Sequence, residues 1–311
     1  MSALSSALRE YLALRRALGF KLRGDGKALQ NFVAFLDQQG ASHITTAMAL
    51  RWAVLPQNAQ PARWARRLSI VRLLATHCIA TDPRTEIPPK GLLPYSYRRR
   101  PPQIYSESQI TRLVKAARHL PTRRGLRSET YSTLFGLLFV TGMRVGEIVA
   151  LDRADVDLDR GLLTVRDTKF GKSRLIPLHP STRCALSRYA RKRDRIYPRA
   201  SAPSFFVSER GWRLTHGSVR WTFVKLSRQI GLRGPSDRHG PRLHDLRHSF
   251  AVRTLIGWYR RGTDVERRLP HLATYLGHTQ VTDTYWYLTA APELLRLAAA
   301  RADDRQGRRY T

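Results

Sequence analysis

Six side chains between residues 144 and 287 could together exchange phosphodiester bonds without a metal. Arg144 lies in TGMRVGE, Lys169 in TKFGKSRLIPL, His244 and Arg247 in HDLRHSFA, His278 at the end of LGH, and Tyr287 in TYWYL. Exchange at phosphorus passes through a crowded, highly anionic state. The catalyst must aim positive charge at the non-bridging oxygens, supply an acid for the departing oxygen and provide a nucleophile. Arginine suits the first task, because its planar fork grips two phosphate oxygens and keeps its charge. Imidazoles titrate near neutrality and can move protons or donate to phosphate oxygens. A free phenol has a pKa of about 10, so it attacks near neutral pH only among cations.

Elements of predictable type must hold these groups. His244 and Arg247 stand three apart and share one face of a helix predicted over 244–260. Arg144 follows Thr141, Gly142 and Met143, a tight turn that ends an apolar helix over 129–141 and enters a new one. Glu147, three positions on, can face Arg144. It is either a surface ion pair of little worth or the group that fixes the guanidinium fork. The segment VDLDRGLLTVRDTKFGKSRLIPL predicts short strands, with Leu163 and Val165 on one face and a turn at Phe170 and Gly171. Lys169 falls just before that tip. Further helices are predicted over 180–193, 216–230 and 267–276, the last ended by Gly277 in the left-handed conformation. Pro292 fits the first turn of a final helix bearing Leu294, Leu297 and Ala298.

With 311 residues the chain can hold two domains. Residues 1–90 show helical apolar spacing: Leu29, Phe32, Val33 and Leu36 make one face, and Trp64, Leu68, Val71, Leu74, Ala75 and Cys78 another. Arg63, Arg66, Arg67 and Arg72 fall away from the second stripe. They form either a solvated face or a contact to a nucleic-acid backbone, which would position the protein without reading bases. Six prolines lie between residues 82 and 105, and Arg98, Arg99 and Arg100 add a cationic run. Residues 91–105 read as a basic linker, and the capping box Ser106-x-x-Gln109 opens a second domain over 106–311.

The balance of 55 Lys+Arg against 23 Asp+Glu leaves a formal charge of +32. Such self-repulsion favours a polyanionic partner, and nucleic acid is the commonest. No run of 18 apolar residues exists to span a bilayer, so no membrane partner is expected. The N-terminal stretch carries Glu10 and lacks a cleavable apolar core, unlike a secretory signal. Cys78 and Cys184 read as reduced core thiols of a cytosolic protein, and the lack of a C-x-x-C pair argues against a zinc finger. HDLRH comes close to the H-E-x-x-H zinc signature. Arg247 would then place a fixed cation beside the metal, and Asp245 is one methylene short of the usual base. No metal is expected.

In this order, and in so basic a chain, the motifs over 141–288 resemble those of the tyrosine recombinase, or phage-integrase, family. The resemblance implies a mainly α fold with a small antiparallel sheet, arranged as a two-domain, C-shaped DNA clamp. Residues 1–90 would be the helical core-binding (SAM-like) domain and 106–311 the catalytic one. It implies that Tyr287, nine residues after His278, is the nucleophile, ahead of Tyr285. It places the general acid for the departing 5′ oxygen at Lys169, with Lys172 as rival and phosphate contact. His244 would assist proton removal from the tyrosine and His278 would bond the scissile phosphate, with His248 as packing or support. Phe170 and Leu288 depart from the small residues common at their positions.

Further expectations follow from the same resemblance. A 3′-phosphotyrosyl bond would conserve the phosphodiester energy, so no cofactor is needed. Two exchanges on a homotetramer, one dimer per site of double-stranded DNA, would pass through a four-way junction. The terminal helix would pack on a neighbouring subunit or on its own domain. The ending DTYWYLTAAPELL resembles recombinases of mobile elements, sometimes beside sister recombinases, in the bacterial cytoplasm at the nucleoid. A topoisomerase IB-like relaxing enzyme and a catalytically silent accessory subunit stay as alternatives.

Overall fold

The structure, a computed structural model, describes residues 2–95, 101–166, 173–198, 203–237, 239–278, 280–287 and 292–307, with side chains as far as Arg301. Lys169, Phe170, Gly171, Lys172, Arg98, Arg99, Arg100 and Leu288 lie outside the described residues. The chain divides into two compact units, Met1–Arg100 and Pro101–Thr311.

The first unit holds four helices among its described residues: α1 (Ala3–Ala17), α2 (Arg23–Gln38), α3 (Thr46–Val54) and α4 (Pro61–Cys78). Ser2 and Thr45 start α1 and α3 by accepting backbone N–H groups that the first turn leaves over. Pro61 opens α4, where its missing donor costs nothing. Phe32, Leu36, Trp52, Val71 and Leu74 form the centre of the core. Trp64 sits at its edge, half-buried, and donates its indole N–H to the Pro56 carbonyl at 2.9 Å.

In the second unit, α5 (Glu107–Arg118) begins with the Ser106–Gln109 capping box. Then come α6 (Leu126–Thr141), α7 (Val145–Ala150), strands β1 (Val156–Asp157), β2 (Leu162–Val165) and β3 (Arg174–Pro177), α8 (Pro180–Ile196) and α9 (His216–Gln229). The chain continues through α10 (Leu243–Arg260), α11 (Val265–Leu276), α12 (Thr282–Tyr285) and α13 (Pro292–Gly307). The sheet is antiparallel in the order β1-β2-β3, with Leu163 opposite Ile176 and both buried beside Val165. The stretch Leu134–Val140 of α6 is wholly apolar, and α5, α8 and α10 pack on this helix. A separate cluster joins Val252, Leu255, Leu272 and Leu276 to Tyr287 and Leu294, so α13 packs on α10 of its own chain.

Several expectations need correction. Helix α6 starts at Leu126 and not at 129, and α8 runs to Ile196 and not to 193. Helix α11 starts at Val265 and not at 267, because the Asp264 side chain accepts from the Arg267 N–H and caps it two residues earlier. Cys184 is exposed, whereas Cys78 is buried. The core face of α8 runs through Leu186, Tyr189, Ala190 and Arg193, and Cys184 lies two positions before Leu186, which turns it outward.

Candidate active site

Two helix C-termini build the site. Helix α6 ends at Gly142 with φ 60°, and a Cβ there would come within 2.5 Å of the Phe250 ring. Helix α11 ends at Gly277 with φ 70°, where a Cβ would meet an Arg174 nitrogen at 2.7 Å. Both glycines are thus required by backbone sign and by space. The last carbonyls of a helix lack intrahelical donors and carry the negative end of its dipole, so they gather cations. Here three successive carbonyls of α11 do so. Tyr275 O accepts from Arg174 Nε at 2.8 Å, Leu276 O from Arg247 Nη2 at 2.7 Å, and Gly277 O from Arg144 Nη2 at 3.1 Å. Arg247 Nη1 also donates to Gly142 O at 2.9 Å, which ties α10 to the end of α6.

Arg247 is 2% exposed. Burial pushes its pKa down to about 10, partly offset by the adjacent Tyr287, and it keeps its proton at neutral pH. Arg144 is the N-cap of α7 and more open. Its backbone N–H and Nη1 both donate to Glu147, each at 2.9 Å. Burial alone would push the Glu147 carboxyl up, but the Arg174 and Arg144 guanidinium groups overcome it and hold it below the usual range. The Glu147–Arg144 contact is therefore not a free surface pair.

Tyr287 is 2% exposed, whereas Tyr285 is 52% exposed. The Tyr287 ring stacks on His278 at 5.8 Å between centroids and meets the edge of His248 at 5.2 Å. Its hydroxyl lies 3.5 Å from His278 Nε2. The other nitrogen of that ring, Nδ1, bonds the buried Thr284 hydroxyl at 2.7 Å, which fixes the ring's orientation. His248 is also edge-on to His244, 4.8 Å away. His244 occupies the exposed rim in the first turn of α10. Loss of hydration, and then the charge of Arg247, holds both His244 and His278 at about 4. At His244 the charge of Asp245 opposes the shift, and Arg144 and Arg242 add to that of Arg247.

This has a consequence for stability. Ordinary imidazole titrates near 6.5, so between that value and about 4 the unfolded chain binds protons that the folded chain refuses. Stability therefore falls as pH is lowered through this window. The melting temperature of the DNA-free protein is expected to drop from pH 6.5 to 5, and a His244→Asn/His278→Asn double variant should show a shallower slope. Equal slopes would remove these imidazoles as the cause.

Other sequence candidates are dispersed. Asp245 is buried and bonded by the N–H, Nε and Nη2 of Arg242, so it cannot serve as the base of a zinc hydrolase. In the first unit, Arg66 pairs with Asp25 at 2.8 Å. Arg67 lies 3.5 Å over the Trp52 ring and donates to Trp52 O, and Arg72 donates to Pro88 O and Pro89 O. Arg67 and Arg72 thus spend their guanidinium groups inside that unit, while Arg63 is exposed. Sequence reasoning missed Arg174 and Thr284. It also missed a face of α9 where Arg220, Trp221, Lys225 and Arg228 are exposed at helical spacing, with Lys225 5.6 Å from the Trp221 ring. The period of that face was readable.

The phage integrase family model matches residues 103–293. The chain belongs to this family, the tyrosine recombinases, which cut and rejoin DNA strands. The recombinase is 52% identical over 309 residues to a Sinorhizobium fredii protein provisionally named integrase/recombinase y4rB, with 98% of each chain covered. It is 30% identical to the tyrosine recombinase XerD of Neisseria meningitidis, with 91% of this chain and 92% of that one covered. Its fold matches the Tn1549 transposon integrase, solved with transposon right end DNA, at TM-score 0.63 and 16% identity over 96% and 98% of the two chains. It also matches lambda integrase, solved as a tetramer on a Holliday junction, at TM-score 0.60 and 20% identity over 91% and 76%. The mainly helical fold with its three-stranded antiparallel sheet is that of these recombinases. Among the described residues no helix is long and apolar enough to cross a membrane.

Proposed function

We propose that this recombinase cuts and rejoins duplex DNA at specific sites through Tyr287. The Tyr287 oxygen attacks a backbone phosphorus, the bond to the 5′ oxygen breaks, and a 3′-phosphotyrosyl bond and a 5′ hydroxyl result. A 5′ hydroxyl of a partner strand then reverses the step. The observation that carries this reading is the placement of Tyr287 beside Arg247 and 3.5 Å from His278, with Arg144 and Arg247 held on neighbouring carbonyls. Because the tyrosine is 2% exposed, DNA binding has to uncover its hydroxyl first.

Arg144 and Arg247 meet the charge that grows on the non-bridging oxygens. His244 takes the phenolic proton and His278 donates to the phosphate. An arriving phosphodiester anion raises both imidazoles from their depressed values, which makes them effective in these roles only when DNA is bound. Lys169 protonates the 5′ oxygen, with Lys172 as a backbone contact. Arg98, Arg99 and Arg100 grip the duplex within the linker 91–105, and Arg63, Arg66 and the α9 face do so from the two units. A homotetramer on two sites and a role in integration or excision of a mobile element are the settings that the similar integrases favour. The cytoplasm, at the nucleoid, is its place of work.

The test is covalent capture. The protein is incubated in EDTA with a library of nicked random-sequence duplexes, denatured, and the protein-linked DNA is sequenced. A 3′-linked adduct of defined sequence is expected. No adduct, or one that appears only when zinc is restored, overturns the reading. On the recovered duplex, affinity should fall steeply with salt, by about 0.9 counterion per neutralised phosphate. A shallow slope would remove the arginine contacts while leaving the chemistry.

A further inference from the structure

The basic residue that opens β3 has no role in the steps above, yet it is embedded in the same cluster. Arg174 is almost fully withdrawn from solvent, its side chain 10% exposed. Its Nη1 and Nη2 donate to the two oxygens of Glu147, at 3.1 and 2.7 Å, and its Nε donates to Tyr275 O at 2.8 Å. All three guanidinium nitrogens are thus engaged with protein, through three of the five N–H groups, and the carboxylate of Glu147 already faces its charge. Its partner Glu147 holds Arg144 through one of the same oxygens. The Tyr275 carbonyl directly precedes those that hold Arg247 and Arg144.

We propose that Arg174 is a positioning residue for Arg144, acting by sharing the Glu147 carboxylate. This rests on the reading that Arg144 meets the scissile phosphate. A carboxylate with one cationic partner draws that partner into a two-pronged pair, because fork-to-fork geometry is the best available to it. Arg174 already occupies that geometry. Arg144 is left with a single side-chain bond to Glu147 and keeps its other terminal nitrogen on Gly277 O. Without Arg174, Glu147 would turn the Arg144 fork onto itself and neutralise it. The end of α11, which leads to His278, would also lose its tie to β3. Lysine cannot replace the arrangement, since one ammonium cannot span both carboxylate oxygens and reach Tyr275 O.

The experiment uses the full chain and the duplex recovered by covalent capture, under single turnover. Arg174→Gln is expected to slow adduct formation about 10- to 100-fold, the range for a group that orients a reacting contact. Duplex affinity should stay unchanged, a split that a general loosening of the fold would not give. Arg174→Lys should recover only part of the rate. In a Glu147→Gln background, Arg174→Gln should add little further loss, because one carboxylate mediates both effects. Wild-type speed in Arg174→Gln, or losses that multiply in the double variant, would overturn the proposal. Melting curves check folding. If Arg174→Gln fails to fold, Arg174→Lys carries the same comparison with Glu147→Gln. Absence of an adduct from the wild-type protein would instead sink the Tyr287 reading, so the two failures are distinguishable.

Discussion

Tyr287→Phe is expected to abolish the covalent protein–DNA adduct while leaving duplex affinity and melting temperature nearly unchanged. The substitution removes one oxygen. That oxygen makes a long contact, 3.5 Å, to His278 and a bond to Arg247, which keeps its bonds to Gly142 O and Leu276 O, so the fold loses little. The ring keeps its stacking on His278 and its place in the apolar cluster with Leu276 and Leu294. The reaction, in contrast, loses its attacking atom, and the rate should fall at least about 10⁴-fold, as removal of a nucleophile does elsewhere. Tyr285→Phe should cleave at the normal rate, because Tyr285 points to solvent. The measurement is adduct yield on a denaturing gel with affinity measured in parallel. An adduct that persists in Tyr287→Phe and vanishes in Tyr285→Phe would show that the wrong tyrosine had been chosen.

Arg144→Ala and Arg247→Ala should each slow cleavage by about 10²–10³-fold, the cost of one lost donor to developing charge, with a smaller loss of affinity. The two should part company in stability. Arg247 is buried and serves Gly142 O and Leu276 O, so its loss leaves carbonyls short of donors at about 1–3 kcal/mol each. Arg144 is half-open, and Glu147 stays satisfied by Arg174 when it is gone. A clear fall in melting temperature is therefore expected for Arg247→Ala and a small one for Arg144→Ala. If affinity and single-turnover rate fell equally in either variant, that arginine would be an ordinary phosphate contact.

Much of the architecture around these residues follows from short-range rules. Gly142 and Gly277 end α6 and α11 because L side chains rarely adopt their φ, and that much is visible without any distant contact. The Ser106–Gln109 box and the alternation of Leu163 and Val165 are equally local. Where burial depended on which face a neighbour covers, spacing was a weaker guide. Cys184 turned outward on a helix whose buried stripe lies elsewhere.

Cation bookkeeping shows the same division. Net charge is a sum over residues, so +32 could be read directly, but the use of each charge is a matter of partners. Arg67 lies over Trp52, and Arg72 serves the Pro88 and Pro89 carbonyls. Neither contact is visible in the helical spacing of α4.

The sequence alone determined the residue types available for phosphoryl chemistry, their order along the chain, and which tyrosine stands nine residues beyond His278. It could do so because these are properties of spacing and of single side chains. Only the tertiary structure decided that three arginines from α7, β3 and α10 converge on three successive carbonyls of α11, and that Arg174 shares Glu147 with Arg144. Apart from Arg144 and Glu147, which are three positions apart, those partners lie 27 to 133 positions apart. No helical or strand period spans such distances, so the contacts exist only once packing has closed the intervening loops.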